Sequence, residues 1–487
     1  MVQPTQEQQL VLDHIHNLKP NPDSYDSTIL VNSVAGSGKT TLLTTIAEQV
    51  PHKLGLYLAY NKAIAVDARK KFPKTTECST THSLAYRAVV KQYGLQIGNL
   101  TYRDIHAPLT FDNKMYVIDV VKEFCLSRFL SFDEFTEDKQ IEDGIANAVR
   151  DVLKKMEEGH IECTHDFYLK VFHISLHNKS VTYEPFDFVM IDEAGDINEV
   201  TLEIFKLLPA RFKVATGDKH QNIYQFNYTI NAFKLLEHEA ISFDMTQSFR
   251  VQQDIAERIQ HFFRKYADPH MVFKGIEKSP STTDTMAYIS RTNAVLVDKI
   301  IDLKKDNIPY TLVRKANQIF QLPLMVAFLK ENGEVRDREY KHVQDEVNYY
   351  YQTYIPNTPP QERFSLYSYL LSIYDEDPQL STALRLVLKH GKTAIIEAHK
   401  HAKAVETGKS SDNLVLATAH SVKGLEFDYV YIADAFNLHV NRIIEELQEI
   451  YAMKQEVPSK IYTELNLAYV ACSRAKKELH NAYFLNM

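Results

Sequence analysis

The chain has 487 residues, of which 45% are hydrophobic and 24% charged, and its formal net charge is −8. That length and balance describe a soluble globular protein of two to four domains. The acidic total excludes a uniformly basic nucleic-acid coat but leaves room for a local basic groove.

The first residues, "MVQPTQEQQL", carry no basic segment followed by an apolar stretch, so no secretion signal is expected. No run approaches the roughly 20 apolar residues that span a bilayer. The expectation is a protein without membrane contact, cytoplasmic and nucleoid-associated, or nuclear in a eukaryote. Four scattered cysteines without a CxxC pair argue against zinc and against a disulfide framework. Cys163 and His165 are neighbours, but two candidate ligands do not make a metal site.

Short apolar runs, each followed by a helical pattern, predict parallel strands covered on both faces. They are "TILVNS" (28–33), "LGLYLAY" (54–60), "FDFVMID" (186–192) and "FKVAT" (212–216). The rhythm returns in "MAYIS" (286–290), "YTLV" (310–313), "NLVLATA" (413–419) and "FDYVYIAD" (427–434). The fold class is therefore α/β, with two parallel-sheet lobes joined near residue 245. Residues 86–184 and 332–411 break the rhythm with helical patterns and read as one insertion per lobe.

"NSVAGSGKTT" joins the first strand to a helix, which is the context that phosphate binding requires. Gly36 and Gly38 let backbone N–H groups approach phosphates, and the following helix aims its positive end at them. Lys39 adds a point charge, and the Thr40 hydroxyl is placed for Mg²⁺. Ser33 takes the tight-turn place where the strict motif has Gly. The bland alternative is a Gly-Ser turn that happens to precede a lysine.

"FVMIDEAGD" ends an apolar strand with Asp192 and Glu193, at the edge where such sheets bind ligands. Asp192 can hold Mg²⁺ and Glu193 can act as general base on water. Alone, such a pair is usually a helix N-terminal charge. In "VATGDKHQNIYQF", Gln221 can sense the γ-phosphate. Tyr224 and Phe226 can stack on bases, or Phe226 can be a core ring. Arg250 in "MTQSFR" and Arg474 in "NLAYVACSRAKK" read either as arginine fingers or as surface arginines. "TAHSVKGLEFDYV" places His420, Lys423, Gly424 and Glu426 in a turn between strands.

Taken in order, these stretches resemble the UvrD/Rep branch of superfamily 1 helicases, and most closely the F-box DNA helicase group. "PTQEQQLVL" is similar to the Q motif, "SVAGSGKTT" to motif I, "YLAYNKAIA" to motif Ia, "TTHSLAYRA" to the next, and "VMIDEAGD" to motif II. "TGDKHQNIYQF" resembles motif III, "TQSFR" and "SRTNA" fall in the motif IV region, and "TAHSVKGLEFD" and "NLAYVACSRAKK" resemble motifs V and VI. "THDFYLKVF" (164–172) also resembles the F-box helicase group.

The resemblance implies two RecA-like lobes. Lobe 1A would take 1–85 and 185–244, insertion 1B 86–184, lobe 2A 245–331 and 412–487, and a short insertion 2B 332–411. It implies ATP and Mg²⁺ as cofactors. Ser33, Val34, Ala35, Gly36, Ser37, Gly38, Lys39, Thr40 and Thr41 would wrap the phosphates, with Thr40 and Asp192 on the metal. Lys39, Asp192, Glu193, Gln221, Arg250 and Arg474 would drive hydrolysis. Gln8 would read adenine, Phe249 would stack on it, Glu426 would meet the ribose, and Gly424 would also belong to the nucleotide site. Asn61, His82, Tyr224, Phe226 and His420 would lie near single-stranded DNA.

Two departures stand out. Gly195 replaces the usual Gln of motif II, and Asn227-Tyr228-Thr229 replaces the usual Arg-Gly-Ala after Phe226. The implied activity is a monomeric helicase or translocase that moves 3′-to-5′ on single-stranded DNA and acts at junctions with duplex. Repair, recombination and replication all use such an engine. The rival reading is an ATP-gated DNA-binding switch that remodels or clamps nucleoprotein without processive movement. A small-molecule P-loop kinase leaves "KGLEFD" unexplained.

Overall fold

The computed structural model describes residues 3–18, 27–51, 53–223, 230–332, 340–375, 377–407 and 414–487. Two compact units divide the chain, Met1–Ser248 and Phe249–Met487.

In the first unit, α1 (Gln6–Asn17) leads into β1 (Ser27–Ser33), α2 (Lys39–Gln49), β2 (Gly55–Leu58), α3 (Lys62–Lys71) and β3 (Thr76–Ser79). A continuous helical stretch follows, from α4 (Thr81–Ala85) through a π-turn (Tyr86–Val90) into α5 (Lys91–Tyr93). Helices α6 (Phe111–Leu126), α7 (Phe132–Lys139), α8 (Asp143–Glu157) and α9 (His165–His177) come next. The chain then returns to the sheet with β4 (Phe188–Ile191), α10 (Glu199–Leu207), β5 (Phe212–Gly217), α11 (Ala232–Leu236) and β6 (Ile241–Met245).

The sheet order is β3-β2-β4-β5-β1-β6, and every pairing is parallel. Side chains alternate between two cores, as the period-2 geometry of a strand requires. Ile29, Val31, Tyr57, Phe188, Met190 and Val214 pack with α1, α2 and α3. Leu30, Leu56, Leu58, Val189, Ile191 and Ala215 pack on the other face, in one cluster with residues of α6, α8 and α9. The helical stretch thus shares its core with the sheet. Lys170 of α9 reinforces that junction: its Nζ donates to the carbonyls of Ser127 (2.6 Å) and Phe129 (2.8 Å), just past the end of α6. Burial pushes its ammonium down to about 8.

The boundary between units falls within β7 (Gln247–Gln252). After it come α12 (Gln253–Tyr266), β8 (Lys274–Ile276), β9 (Met286–Ser290), α13 (Asn293–Asp306), β10 (Thr311–Leu312) and α14 (Ala316–Asn332). Helices α15 (Lys341–Tyr349), α16 (Ile355–Asn357), α17 (Leu366–Ile373) and α18 (Pro378–Thr407, bent at Gly391) form the next stretch. The unit closes with β11 (Leu414–Thr418), β12 (Phe427–Ile432), α19 (Asp434–Ala452), α20 (Ser459–Cys472) and β13 (Ala475–His480). Its main sheet, β10-β11-β9-β12-β13, is again parallel throughout. No helix among the described residues is long and apolar enough to cross a membrane.

The α/β reading with two parallel sheets is what the structure has. Five strands carry no apolar run that announces them: β3, β6, β7, β8 and β13. All five are edges: β3, β6 and β13 end the two main sheets, and β7 and β8 form a two-stranded sheet of their own. The burial of β6 (Ile241–Met245) shows why, since only Met245 is buried.

Candidate nucleotide site and the groove beside it

Parallel strands deliver all their C-terminal ends to one edge of the sheet. In the first unit that edge gathers Ser33, Asp192, Asp218 and Thr246 at the ends of adjoining strands, as the registers Asn32↔Gly217, Ser33↔Met245 and Ile191↔Ala215 require.

Ser33 is fully buried at the end of β1. Gly36 and Gly38 then adopt φ of +75° and +87°, a region open to glycine at little cost. Gly38 directly precedes α2, so Lys39 and Thr40 form its first turn, with Thr41 following. The amide of Gln8 rests on the loop: Nε2 donates to the Gly38 carbonyl at 3.4 Å, while Oε1 accepts from the Thr5 N–H at 3.0 Å. Ala35 offers its carbonyl to Ser248 Oγ at 2.8 Å, and the Val34 N–H donates to Met245 O at 3.0 Å. Ser37 is buried within the loop.

Lys39 Nζ faces Glu193 Oε1 at 3.9 Å. Asp192 beside it is buried, and its Oδ1 accepts from Thr216 Oγ1 and from the Glu193 N–H, both at 2.9 Å. Tyr57 OH approaches Oδ2 at 3.4 Å. Burial raises the Asp192 carboxyl above its ordinary value, the Glu193 charge adds to this, and Lys39 opposes it. Glu193 holds φ +54°, which costs a non-glycine residue roughly 1 kcal/mol. Thr40, Asp192 and Glu193 border a cavity of about 340 Å³ with Tyr57 and Tyr60. A hydroxyl and a carboxylate on one cavity suit Mg²⁺, a hard cation that keeps several waters and takes few protein ligands.

The loop after β5 packs against the loop after β4. Gln221 Nε2 donates to Asp218 Oδ2 at 2.7 Å, and the Gln221 N–H to the Asp218 carbonyl at 3.0 Å. A Cβ added at Gly195 would stand 3.3 Å from that carbonyl and 3.9 Å from the Phe233 ring. Gly195 thus lets the two loops touch.

Asn61 caps α3, its Oδ1 accepting from the Ile64 N–H at 2.9 Å. It shares a groove of about 880 Å³ with His82, Tyr86, His165 and Tyr168. Burial holds the His82 imidazole below its ordinary value, against the pull of Asp166. His165 Nδ1 lies 2.9 Å from Tyr168 OH, so its partner is a phenol, and Cys163 is buried in a backbone bridge to Ile97.

In the second unit, Arg250 Nε pairs with Glu426 Oε2 at 2.9 Å, bringing two predicted residues together. Lys476 approaches the same carboxylate at 3.7 Å. Gly424 turns the chain toward β12 with φ +85°. Arg474 donates to the carbonyls of Val470 (2.9 Å) and Leu425 (3.3 Å), so its guanidinium braces the turn that carries Glu426. Phe249 is half exposed. Burial pushes the His420 imidazole down to about 4, aided by the charge of Arg291. Tyr224 and Phe226, with Asn227, Tyr228 and Thr229, lie outside the described residues.

Sequence reasoning missed Thr216, Tyr57 and Ser248, whose contacts with Asp192 and Ala35 join distant segments. It also missed a partly buried triad in which Arg291 grips Glu464 through Nε (2.8 Å) and Nη2 (2.6 Å), with His439 Nε2 at 3.0 Å. "SRTNA" was the signal for Arg291, but nothing local names its partner.

A glycine-rich turn between a parallel strand and a helix, with an acidic pair at the end of a nearby strand, defines the α/β phosphate-loop class. Within it the chain belongs to the UvrD-like helicase family: the UvrD-like helicase C-terminal domain matches residues 78–486. The chain is 24% identical to the F-box DNA helicase protein 1 of Schizosaccharomyces pombe, over 92% of its own length and 55% of that protein's. It is 26% identical to the F-box DNA helicase 1 of Gallus gallus, over 97% and 48%. A putative ATP-dependent DNA helicase of Acanthamoeba polyphaga mimivirus is 24% identical over 61% of this chain and 34% of its own. The chain thus spans about half the length of the first two relatives. Among solved structures, an arterivirus nonstructural protein 10 helicase aligns with 93% of this chain and 59% of its own, at TM-score 0.31 and 11% identity.

Proposed function

We propose that this chain is an ATP-dependent DNA helicase that steps 3′-to-5′ along single-stranded DNA and opens duplex at junctions, acting as a monomer. The observation that carries the reading is the meeting of Lys39, Thr40, Asp192 and Glu193 at one sheet edge. The relatives' names, DNA helicases, point the same way.

In the proposed reaction, water attacks the γ-phosphorus of ATP, and the bond from that phosphorus to the bridging oxygen of ADP breaks. Glu193 takes the water proton, and Lys39 and the loop N–H groups hold the charge that spreads over the phosphate oxygens. Mg²⁺, held by Thr40 and Asp192, supplies charge neutralisation when bound. Gln221 reports the γ-phosphate, Arg250 stabilises the transition state, and Arg474 supports the reaction through the turn that it braces. Gln8 and Phe249 hold the adenine, Glu426 the ribose, and Gly424 belongs to the same nucleotide site. Asn61, His82, His420, Tyr224 and Phe226 serve the strand. The four-part division into 1A, 1B, 2A and 2B belongs to the same proposal. Opening a base pair costs about 1.4 kcal/mol of stacking on average, well within one hydrolysis.

An unwinding panel tests it: 3′-tailed, 5′-tailed and forked duplexes with ATP, for wild type and Lys39→Ala. Unwinding of 3′-tailed and forked substrates by wild type alone is expected. Hydrolysis on DNA without movement along it removes the helicase claim.

Gly195, standing where the resembled family usually has Gln, supports a second reading, an ATP-gated switch that clamps DNA without processive movement. Stopped-flow runs on strands of increasing length separate the two. Arrival time grows with length for a motor and stays flat for a switch.

A further inference from the structure

The groove beside α3 and α4 holds more chemistry than Asn61 and His82. Its volume of about 880 Å³ falls within the roughly 300–1,000 Å³ of small-ligand clefts. Tyr168, on α9, is 3% exposed and acts as a hub for three other rings. His82 stands edge-on to it at 6.1 Å and 87°, Tyr86 at 6.3 Å and 77°, and His165 at 5.6 Å and 72°. The hydroxyl of Tyr168 meets His165 Nδ1 at 2.9 Å, which fixes that imidazole. Tyr86 opens a π-turn and keeps 37% of its surface exposed. Such turns are rare and concentrate at functional sites. Lys62 and Lys91 line the same groove.

Rigid rings with an exposed face lose little side-chain freedom on binding a flat partner. Neighbouring ammonium groups attract a phosphate. A simple anion needs no aromatic wall, and an apolar helix needs no ammonium rim. A flat, hydrogen-bonding ring attached to a phosphate uses both.

We propose that this groove docks one unpaired base of single-stranded DNA, stacked on Tyr86 and met at its polar edge by His165, with Tyr168 as the positioning residue for both. The proposal rests on the reading that the chain binds single strands, and it adds the base contact and the role of α9.

The test is equilibrium binding of a single-stranded oligonucleotide in which 2-aminopurine is moved one position at a time. One position should change fluorescence on binding to wild type. Tyr86→Leu, an exposed site, should lose that change and bind about tenfold more weakly, the effect of removing one stacked base. Tyr168→Phe keeps the ring but not the hydroxyl. It should retain the stacking signal while flattening any preference among bases at that position. Thermal melting confirms that each variant is folded. If Tyr86→Leu and His165→Ala keep wild-type affinity and signal while DNA still stimulates their ATP hydrolysis, the groove proposal fails and the helicase reading stands. If wild type neither binds single strands nor is stimulated by them, the helicase reading fails and the groove proposal goes with it.

Discussion

The hydroxyl of Ser248 donates to the carbonyl of Ala35 at 2.8 Å, tying the phosphate loop to the last residue of the first unit. A second tie lies two residues away, where Glu7 of α1 accepts from the N–H of Thr246 at 2.8 Å. The strand end that leaves the unit is therefore held by both the loop and the first helix.

Ser248→Ala removes the hydroxyl and leaves a buried carbonyl without this donor. The expected cost is about 1–2 kcal/mol of stability. Urea unfolding of the 1–248 transition, followed by hydrogen exchange in β1, measures it. An unchanged midpoint would show that the bond contributes nothing net.

Glu193→Gln keeps size and polarity but cannot take a proton. Turnover of ATP should fall by about 10²–10⁴-fold, while nucleotide affinity stays near wild type. Lys39→Ala should lose affinity as well, because the proposed reaction sets this charge against the substrate itself. Phosphate release and fluorescent-nucleotide binding separate the two effects. Equal losses of affinity in both variants contradict the assigned roles.

Gly195→Gln inserts the usual motif II residue where an added Cβ stands 3.3 Å from the Asp218 carbonyl. Overpacking of this kind costs roughly 1–3 kcal/mol, so the melting point should drop, with Gly195→Ala giving a smaller drop. Two variants as stable as wild type would mean that the loops separate freely.

Acid should weaken the second unit through Glu464. Burial alone would raise this carboxyl, but hydrogen bonds from His439 and Arg291 outweigh it and pull it down to about 2. The ordinary value in an unfolded chain is about 4.3. The unfolded state therefore binds the proton first as pH falls. The stabilisation, roughly 2–3 kcal/mol, is complete above pH ~4.3 and disappears as pH falls through ~2. Glu464→Gln should be less stable at pH 7 and should flatten the slope of melting temperature against pH in that window. Parallel slopes for variant and wild type refute the assignment.

The strands easiest to read in the sequence are those buried on both faces. β1 sends Ile29 and Val31 into one core and Leu30 into the other, so its centre is apolar without a break. "ISFDM" of β6 lies at an edge and is mostly uncovered, while "TECS" of β3, also at an edge, buries Thr76, Cys78 and Ser79, which are polar or small, so neither carries such a signal. Loop chemistry was legible at Gly36, Gly38, Lys39 and Asp192 because residue types and spacing there are local. The supports were not: Tyr57 meets Asp192 across 135 residues, and Ser248 meets Ala35 across 213. The α9 stretch "THDFYLKVF" drew notice only through resemblance, since no pattern in it foretells that Tyr168 will face His82.

Glu193 carries its acid on a backbone with φ +54°. Glycine or asparagine would sit there with less strain, so the two demands on this position pull apart. A screen for thermal endurance alone would favour replacing Glu193, and under the proposed role of that acid the survivors would be sturdier proteins that no longer turn over ATP. A selection for turnover would keep the strained acid and accept the softer fold.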